Sequence, residues 1–186
     1  MAAVPSNMLA LGTEAPDFVL PDTVSGKTLS LTDLKSDVAT VIMFICNHCP
    51  YVKHVNKELA RLAHDYQVRG VAFVAISSND VAAYPADSPE QMRLVAAEQG
   101  YPFPYLYDED QSVARAYEAA CTPDFYIFDA GMKLVYRGQL DDARPRNDVP
   151  VTGKDVRVAL EAILAGEPVA AEQRPSIGCN IKWKEA

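Results

Sequence analysis

The chain has 186 residues, 49% of them hydrophobic, enough to close one ordinary core and carry an extra arm. Seventeen Lys and Arg against twenty-five Asp and Glu give a net charge of −8 with no basic cluster, so nucleic acid lacks an electrostatic footprint and is excluded as a partner. The opening "MAAVPSNMLALGTEAPDF" has no basic n-region or apolar stretch of signal-peptide length, and the longest apolar run elsewhere, Val38 to Cys46, is too short to span a bilayer; a soluble, cytoplasmic protein with no membrane partner is expected.

In chain order, "DFVL" and "TLSLTDL" are short β-like runs around the turn-rich "PDTVSGK" and predict an N-terminal β-hairpin. "VATVIMFI" (38–45) is apolar and β-branched almost throughout, the signature of a central strand covered on both faces. After Pro50, Val52, Val55, Leu59, Leu62 and Tyr66 recur at helical spacing, with Lys53, Lys57 and Arg61 opposite and Gly70 beyond the end. "VAFVAIS" (71–77) is a second buried strand. Ser88, Pro89 and Gln91 supply an N-cap, a first-turn proline and a capping-box partner for a helix running to about Gly100. "PYLYD" reads as a strand, "DQSVARAYEAA" as a helix, and "DFYIFDAGMKLVYRG" as two strands around a turn at Ala130 and Gly131. Thr152 and Asp155 form another capping box, opening a helix that ends near Gly166. Two stretches look irregular: a long loop, "NDVAAYPADSP", and the tail "EPVAAEQRPSIGCNIKWKEA". Alternating strands and helices closed by a hairpin imply an α/β fold with a mixed central sheet flanked by helices.

Four cysteines (Cys46, Cys49, Cys121, Cys179) are too few for a disulfide-stapled scaffold, and only two are close in sequence. "FICNHCPYVKHV" puts Cys46 and Cys49 where a buried strand meets an amphipathic helix. With Cys46 at or beside the helix N-cap and Cys49 about one turn inside, the helix's unpaired amides and positive dipole end lower the pKa of Cys46 most. Cys46 is then the attacking sulfur, and Cys49 displaces the mixed disulfide. His48 adds charge or a hydrogen bond to the thiolate, while Asn47 contributes backbone geometry. A structural pair of core thiols is the bland alternative. A zinc site wants four ligands, usually with a second close pair, so metal binding would need the fold to gather Cys121 and Cys179, or His54 and His64, which otherwise read as solvated helix residues. No cofactor and no metal are expected.

These residues resemble a known family. A βαβ unit with CxxC at the start of its helix, then "TPDFYIFD", a hairpin and "RGQ", is similar to the thioredoxin fold, and "LGTEAPDFVL" looks like the opening of the redoxin (AhpC/TSA) group of peroxiredoxins and thiol-disulfide oxidoreductases. "CNHCPYV", "CTPDFY", "GQLDD" and "GCNIKW" resemble thioredoxin-like, peroxiredoxin-like proteins over nearly the whole chain. The resemblance implies that Cys46 and Cys49 are the redox pair and that Pro123 is a cis-proline facing it. An X-Pro bond is cis in only about 5% of cases in folded proteins, so that assignment rests on the resemblance alone. Thr122 would then offer its backbone to an extended substrate segment, and Cys121 would lie near the active site. Two departures stand out: Thr40 occupies the place where many thioredoxins carry a buried carboxylate, leaving proton handling to His48 or water, and Met43 stands where a typical peroxiredoxin has threonine.

The expectation is one thioredoxin-like domain over 1–186, with a core of about 10–166 and a tail, 167–186, packed on it. Ile177, Ile181 and Trp183 give that tail apolar surface to cover, and Cys179 is a candidate relay thiol with Cys121. Its function is thiol-disulfide exchange on protein or small-thiol substrates with an unidentified reductant, as a monomer or weak dimer. The alternatives are a thiol-dependent peroxidase and a module holding zinc or copper through its cysteines.

Overall fold

The computed structural model describes residues 3–185. A short strand β1 (Ala3–Pro5) precedes the expected hairpin of β2 (Val19–Pro21) and β3 (Thr28–Ser30). "LTDL", which reads as strand in the sequence, is instead a single helical turn, α1 (Leu31–Leu34). Ser30 accepts the Asp33 amide while Asp33 accepts the Ser30 amide, a reciprocal capping box that closes the turn. Then follow β4 (Ala39–Phe44), α2 (Pro50–Gln67), β5 (Val71–Ser77), a 3₁₀ turn (Pro85–Asp87), α3 (Pro89–Gln99) and β6 (Tyr105–Tyr107). The helix expected over "DQSVARAYEAA" is only α4 (Ser112–Ala116); β7 (Cys121–Thr122), β8 (Asp124–Asp129), β9 (Leu134–Gly138), α5 (Lys154–Leu164) and β10 (Ile177–Asn180) complete the chain.

The main sheet runs β6-β5-β4-β8-β9, with β4, β5 and β6 parallel and β8 and β9 antiparallel. β4 is central and all six of its residues are buried, because both faces are covered. Side chains alternate across a strand. Val41 and Met43 accordingly join the core under α2 and α5, whereas Ile42 and Phe44 join a second core with Phe18, Tyr117 and Tyr126. This is the α/β thioredoxin architecture. No helix among the described residues is long and apolar enough to cross a membrane.

The two predicted caps differ. Ser88 caps α3, accepting the Gln91 amide with Pro89 at the first helical position, and Gly100 ends the helix in the left-handed region. Thr152 does not cap α5. Gly153, at φ 67°, is the N-cap; the amides of Thr152 and Gly153 both donate to the buried Asp141 carboxylate, and the Asp155 amide that the Thr152 hydroxyl was expected to accept donates to the Leu140 carbonyl. The aperiodic tail contains β10, which pairs with β1 on one side and β7 on the other.

Candidate active site

β4 ends at Phe44 and the chain turns through Cys46, Asn47 and His48 before α2 begins at Pro50. One buried carboxylate, Asp87 of the 3₁₀ turn, organises that turn. Its Oδ1 accepts the amides of Asn47 (2.8 Å) and His48 (3.2 Å), and its Oδ2 accepts Asn79 Nδ2 (2.8 Å) and pairs with His48 Nδ1 at 2.5 Å. Asn47 ties the loop to Ala86 and to the Tyr105 hydroxyl, and the His48 ring stacks on Tyr84, so both side chains are held in place. Among the described residues, His48 Nε2 has no hydrogen-bond partner.

Helix α2 starts later than the spacing predicts. Cys49, not Cys46, is its N-cap, because Pro50, with no amide to leave unpaired, takes the first helical position and the Cys49 carbonyl accepts the first amides. Cys46 lies three residues before the cap. The electrostatics follow the geometry. The Cys49 thiol is drawn down to about 5, chiefly because Cys46 donates its thiol proton to it, against the opposing effect of burial; the Cys179 thiol, the Thr122 hydroxyl and the Val52 amide add to the lowering. Cys49 Sγ closes no full cap hydrogen bond, and the Thr122 carbonyl 3.3 Å away favours its protonated form, yet the donors outnumber that one acceptor. Cys46 is pushed well above an ordinary thiol, first because its proton is the one shared with Cys49, then by burial and the nearby Asp87 carboxylate. The sequence expects Cys46 to be the more acidic thiol; in the structure the lowering acts on Cys49 and the raising on Cys46, while the Cys49 thiol lies as donor to the Thr122 carbonyl.

The Thr122–Pro123 peptide bond is cis, and Thr122 borders both cysteines, its Oγ1 lying 3.5 Å from Cys46 Sγ. Its pairing edge is not open to a substrate. β10 fills it, with Cys179 opposite Thr122 and Asn180 opposite Cys121. Cys179 joins Cys46 and Cys49 in one buried cluster, and its thiol is pushed up to about 12, by burial first and by Cys49 second. Cys121 does not join them. Its side chain leaves the strand on the face opposite that of Thr122, toward Ser6, Ser176 and Asp124, and burial pushes its thiol up. His54 and His64 are exposed on α2. In the tail, Ile181 is buried in the second core, Trp183 lies under the Arg115 guanidinium at 4.5 Å, and Ile177 remains partly exposed.

Cys46, His48 and Asp87 present donor atoms within 4.8 Å of one another, a potential three-ligand site. The Asp87 carboxylate already accepts four hydrogen bonds, so an ion there would displace at least one of them. Sequence reasoning missed Asp87, Asn79 and Tyr84. All three belong to the irregular loop after β5, and its unusual length was the one signal that the segment does more than connect two elements.

A model of the AhpC/TSA family matches residues 11–137. The chain belongs to the AhpC/TSA family. Its solved relatives extend the likeness over the whole chain. An uncharacterized conserved protein from Geobacillus kaustophilus is 64% identical, with TM-score 0.99, covering 100% of this chain and 98% of that one. A hypothetical protein from Sinorhizobium meliloti 1021 is 49% identical, with TM-score 0.95, covering 98% and 99%. At 19% identity, the thioredoxin domain of a thiol-disulfide oxidoreductase from Bacteroides vulgatus shares the fold of this AhpC/TSA member, with TM-score 0.61 over 72% and 91% of the two chains. No curated protein sequence matches.

Proposed function

We propose that the protein is a thiol-disulfide oxidoreductase whose redox couple is Cys46 and Cys49, with Cys49 as the attacking thiolate. The observation that carries this reading is the packing of Cys46 and Cys49 together at the start of α2 against the cis Thr122–Pro123 bond, with the Cys49 thiol drawn down to about 5 and the Cys46 thiol pushed up. Cys49 attacks a substrate disulfide, forms a mixed disulfide and expels one thiolate. Cys46 then loses its proton and attacks Cys49 Sγ, which releases the second thiolate and leaves a Cys46–Cys49 disulfide. His48, paired with Asp87 and with Nε2 unengaged among the described residues, is the candidate to take the Cys46 proton.

Stopped-flow reaction of the reduced protein with a disulfide probe and, in parallel, with hydrogen peroxide tests this across pH. Fast disulfide exchange with an inflection near the acidic value of Cys49, lost in Cys49→Ser, is expected. Fast reaction with peroxide alone would make the protein a thiol-dependent peroxidase instead, and slow reaction with both would overturn redox function. Metal analysis of protein purified under reducing conditions separates both from a metal-binding role.

A further inference from the structure

The tail is built onto the active site. β10 adds to the Thr122 edge as an extended substrate would, and Gly178 makes the approach possible: a Cβ there would stand 1.9 Å from the Thr122 carbonyl oxygen and 3.2 Å from the Pro123 nitrogen. Flanking bonds hold the strand in register. Ser176 donates its amide to Ser6 and its hydroxyl to the Pro123 carbonyl, and Lys182 bonds through its backbone to Asn79, Asp80 and Gln111. With the tail in place Cys46 and Cys49 are sealed, at 2% and 0% exposure. Cys179, packed in the same buried cluster as Cys46 and Cys49, also lines a surface groove of about 500 Å³ walled by Pro50, Tyr51, Arg144 and Pro145. The third thiol thus lies between the buried pair and solvent.

We infer that Cys179 is the exchange port of the enzyme: it converts a buried Cys46–Cys49 disulfide into a Cys49–Cys179 disulfide, which a low-molecular-weight thiol reduces from the groove. This rests on the redox reading of Cys46 and Cys49. In the first step Cys179 loses its proton and attacks Cys49 Sγ; the Cys46–Cys49 bond breaks, and Cys46 leaves as a thiolate that takes up a proton. In the second step an external thiol, deprotonating, attacks Cys179 Sγ and expels Cys49 as its favoured thiolate. A second external thiol then frees Cys179 and departs as a disulfide with the first. The sum converts one protein disulfide and two small thiols into a protein dithiol and one small disulfide.

The first step rests on proximity, since its leaving thiol, Cys46, is the less acidic of the pair, and leaving-group acidity favours the second. Cys49, one of the causes that raise the Cys179 thiol, carries no charge once oxidised, so Cys179 becomes a better nucleophile when it is needed. The low-pKa Cys49 is in turn the better leaving group when Cys179 is attacked, which directs the external thiol to the sulfur beside the groove. A small thiol fits this route and an extended polypeptide does not, because the strand-adding edge is occupied.

The test is disulfide mapping of acid-quenched protein after oxidation with diamide, followed by reduction kinetics with glutathione as the probe thiol. Wild type is expected to yield a Cys49–Cys179 linked peptide beside the Cys46–Cys49 one, and Cys46→Ser to form Cys49–Cys179 stoichiometrically. Oxidised Cys179→Ala is expected to hold its Cys46–Cys49 bond yet be reduced at least about tenfold more slowly than wild type. Absence of the Cys49–Cys179 peptide from oxidised wild type, a measurement that needs no substitution, overturns the port, as does unchanged reduction of Cys179→Ala. Failure of wild type to form the Cys46–Cys49 bond overturns the redox reading itself.

Discussion

The two ends of the CNHC turn stand three residues apart in opposite electrostatic surroundings. Around Cys46 the neighbouring charge is the Asp87 carboxylate, which favours the protonated thiol; around Cys49 two thiols, a hydroxyl and a helix amide favour the thiolate against the opposing Thr122 carbonyl. Burial is nearly the same for both. The difference teaches that in a closed site the sign of the nearest polar groups, added to the cost of burial, separates two neighbouring sulfurs in acidity.

Removing the thiolate breaks this contrast most completely. Cys49→Ser removes the more acidic thiol of the pair and leaves Cys46 buried beside the Asp87 carboxylate, so reaction with a disulfide probe should fall by at least about a hundredfold. Cys46→Ala keeps the thiolate but deletes its main donor, so the pH at which Cys49 alkylation by iodoacetamide reaches half its maximum should move up from about 5. An unmoved profile would mean that the helix terminus alone sets the acidity.

The acidic side is tested through Asp87. Asp87→Asn replaces an acceptor of four hydrogen bonds by a group with one acceptor oxygen and two donors of its own, in a site with 0% exposure. A loss of about 3 kcal/mol in urea unfolding is expected, with Cys46 becoming more acidic as the carboxylate charge disappears. Gly178→Ala tests the covered side. The collision with the Thr122 carbonyl should lift β10 at a cost of about 1–3 kcal/mol and speed alkylation of Cys49 as the seal opens.

The smallest effect concerns Asp124, directly after the cis-proline. Burial raises its carboxyl from 3.8 to about 7, so between those values the folded chain holds a proton that the unfolded chain has shed. Stability should therefore fall as pH rises from about 4 to 7 and level off above. Asp124→Asn should flatten that slope; a slope unchanged in the variant would assign it to another group.

Local order was legible where it rests on neighbours in the chain. β4 and α2 announced themselves by an apolar run and a helical period, and the cap of α3 by Ser88 and Pro89. The cap of α5 was not legible because the Leu140 carbonyl takes the Asp155 amide that Thr152 was expected to serve, while Asp141, eleven residues before Thr152, takes the Thr152 amide itself. The start of α2 differs for a smaller reason: the proline after Cys49 moves the cap by about one turn, from Cys46 to Cys49.

By itself the sequence determined the fold class, the cysteine pair at a strand-to-helix junction and the family, since each depends on periodicity or on motifs contiguous in the chain. Only the tertiary structure decided which polar groups surround each cysteine, which carboxylate supports the turn, and that the chain's own tail covers the pair. Asp87 lies 39 residues from His48, and Cys179 pairs with Thr122 across more than fifty. The pKa of a buried thiol depends on charges and donors within a few ångströms, whatever their distance along the chain.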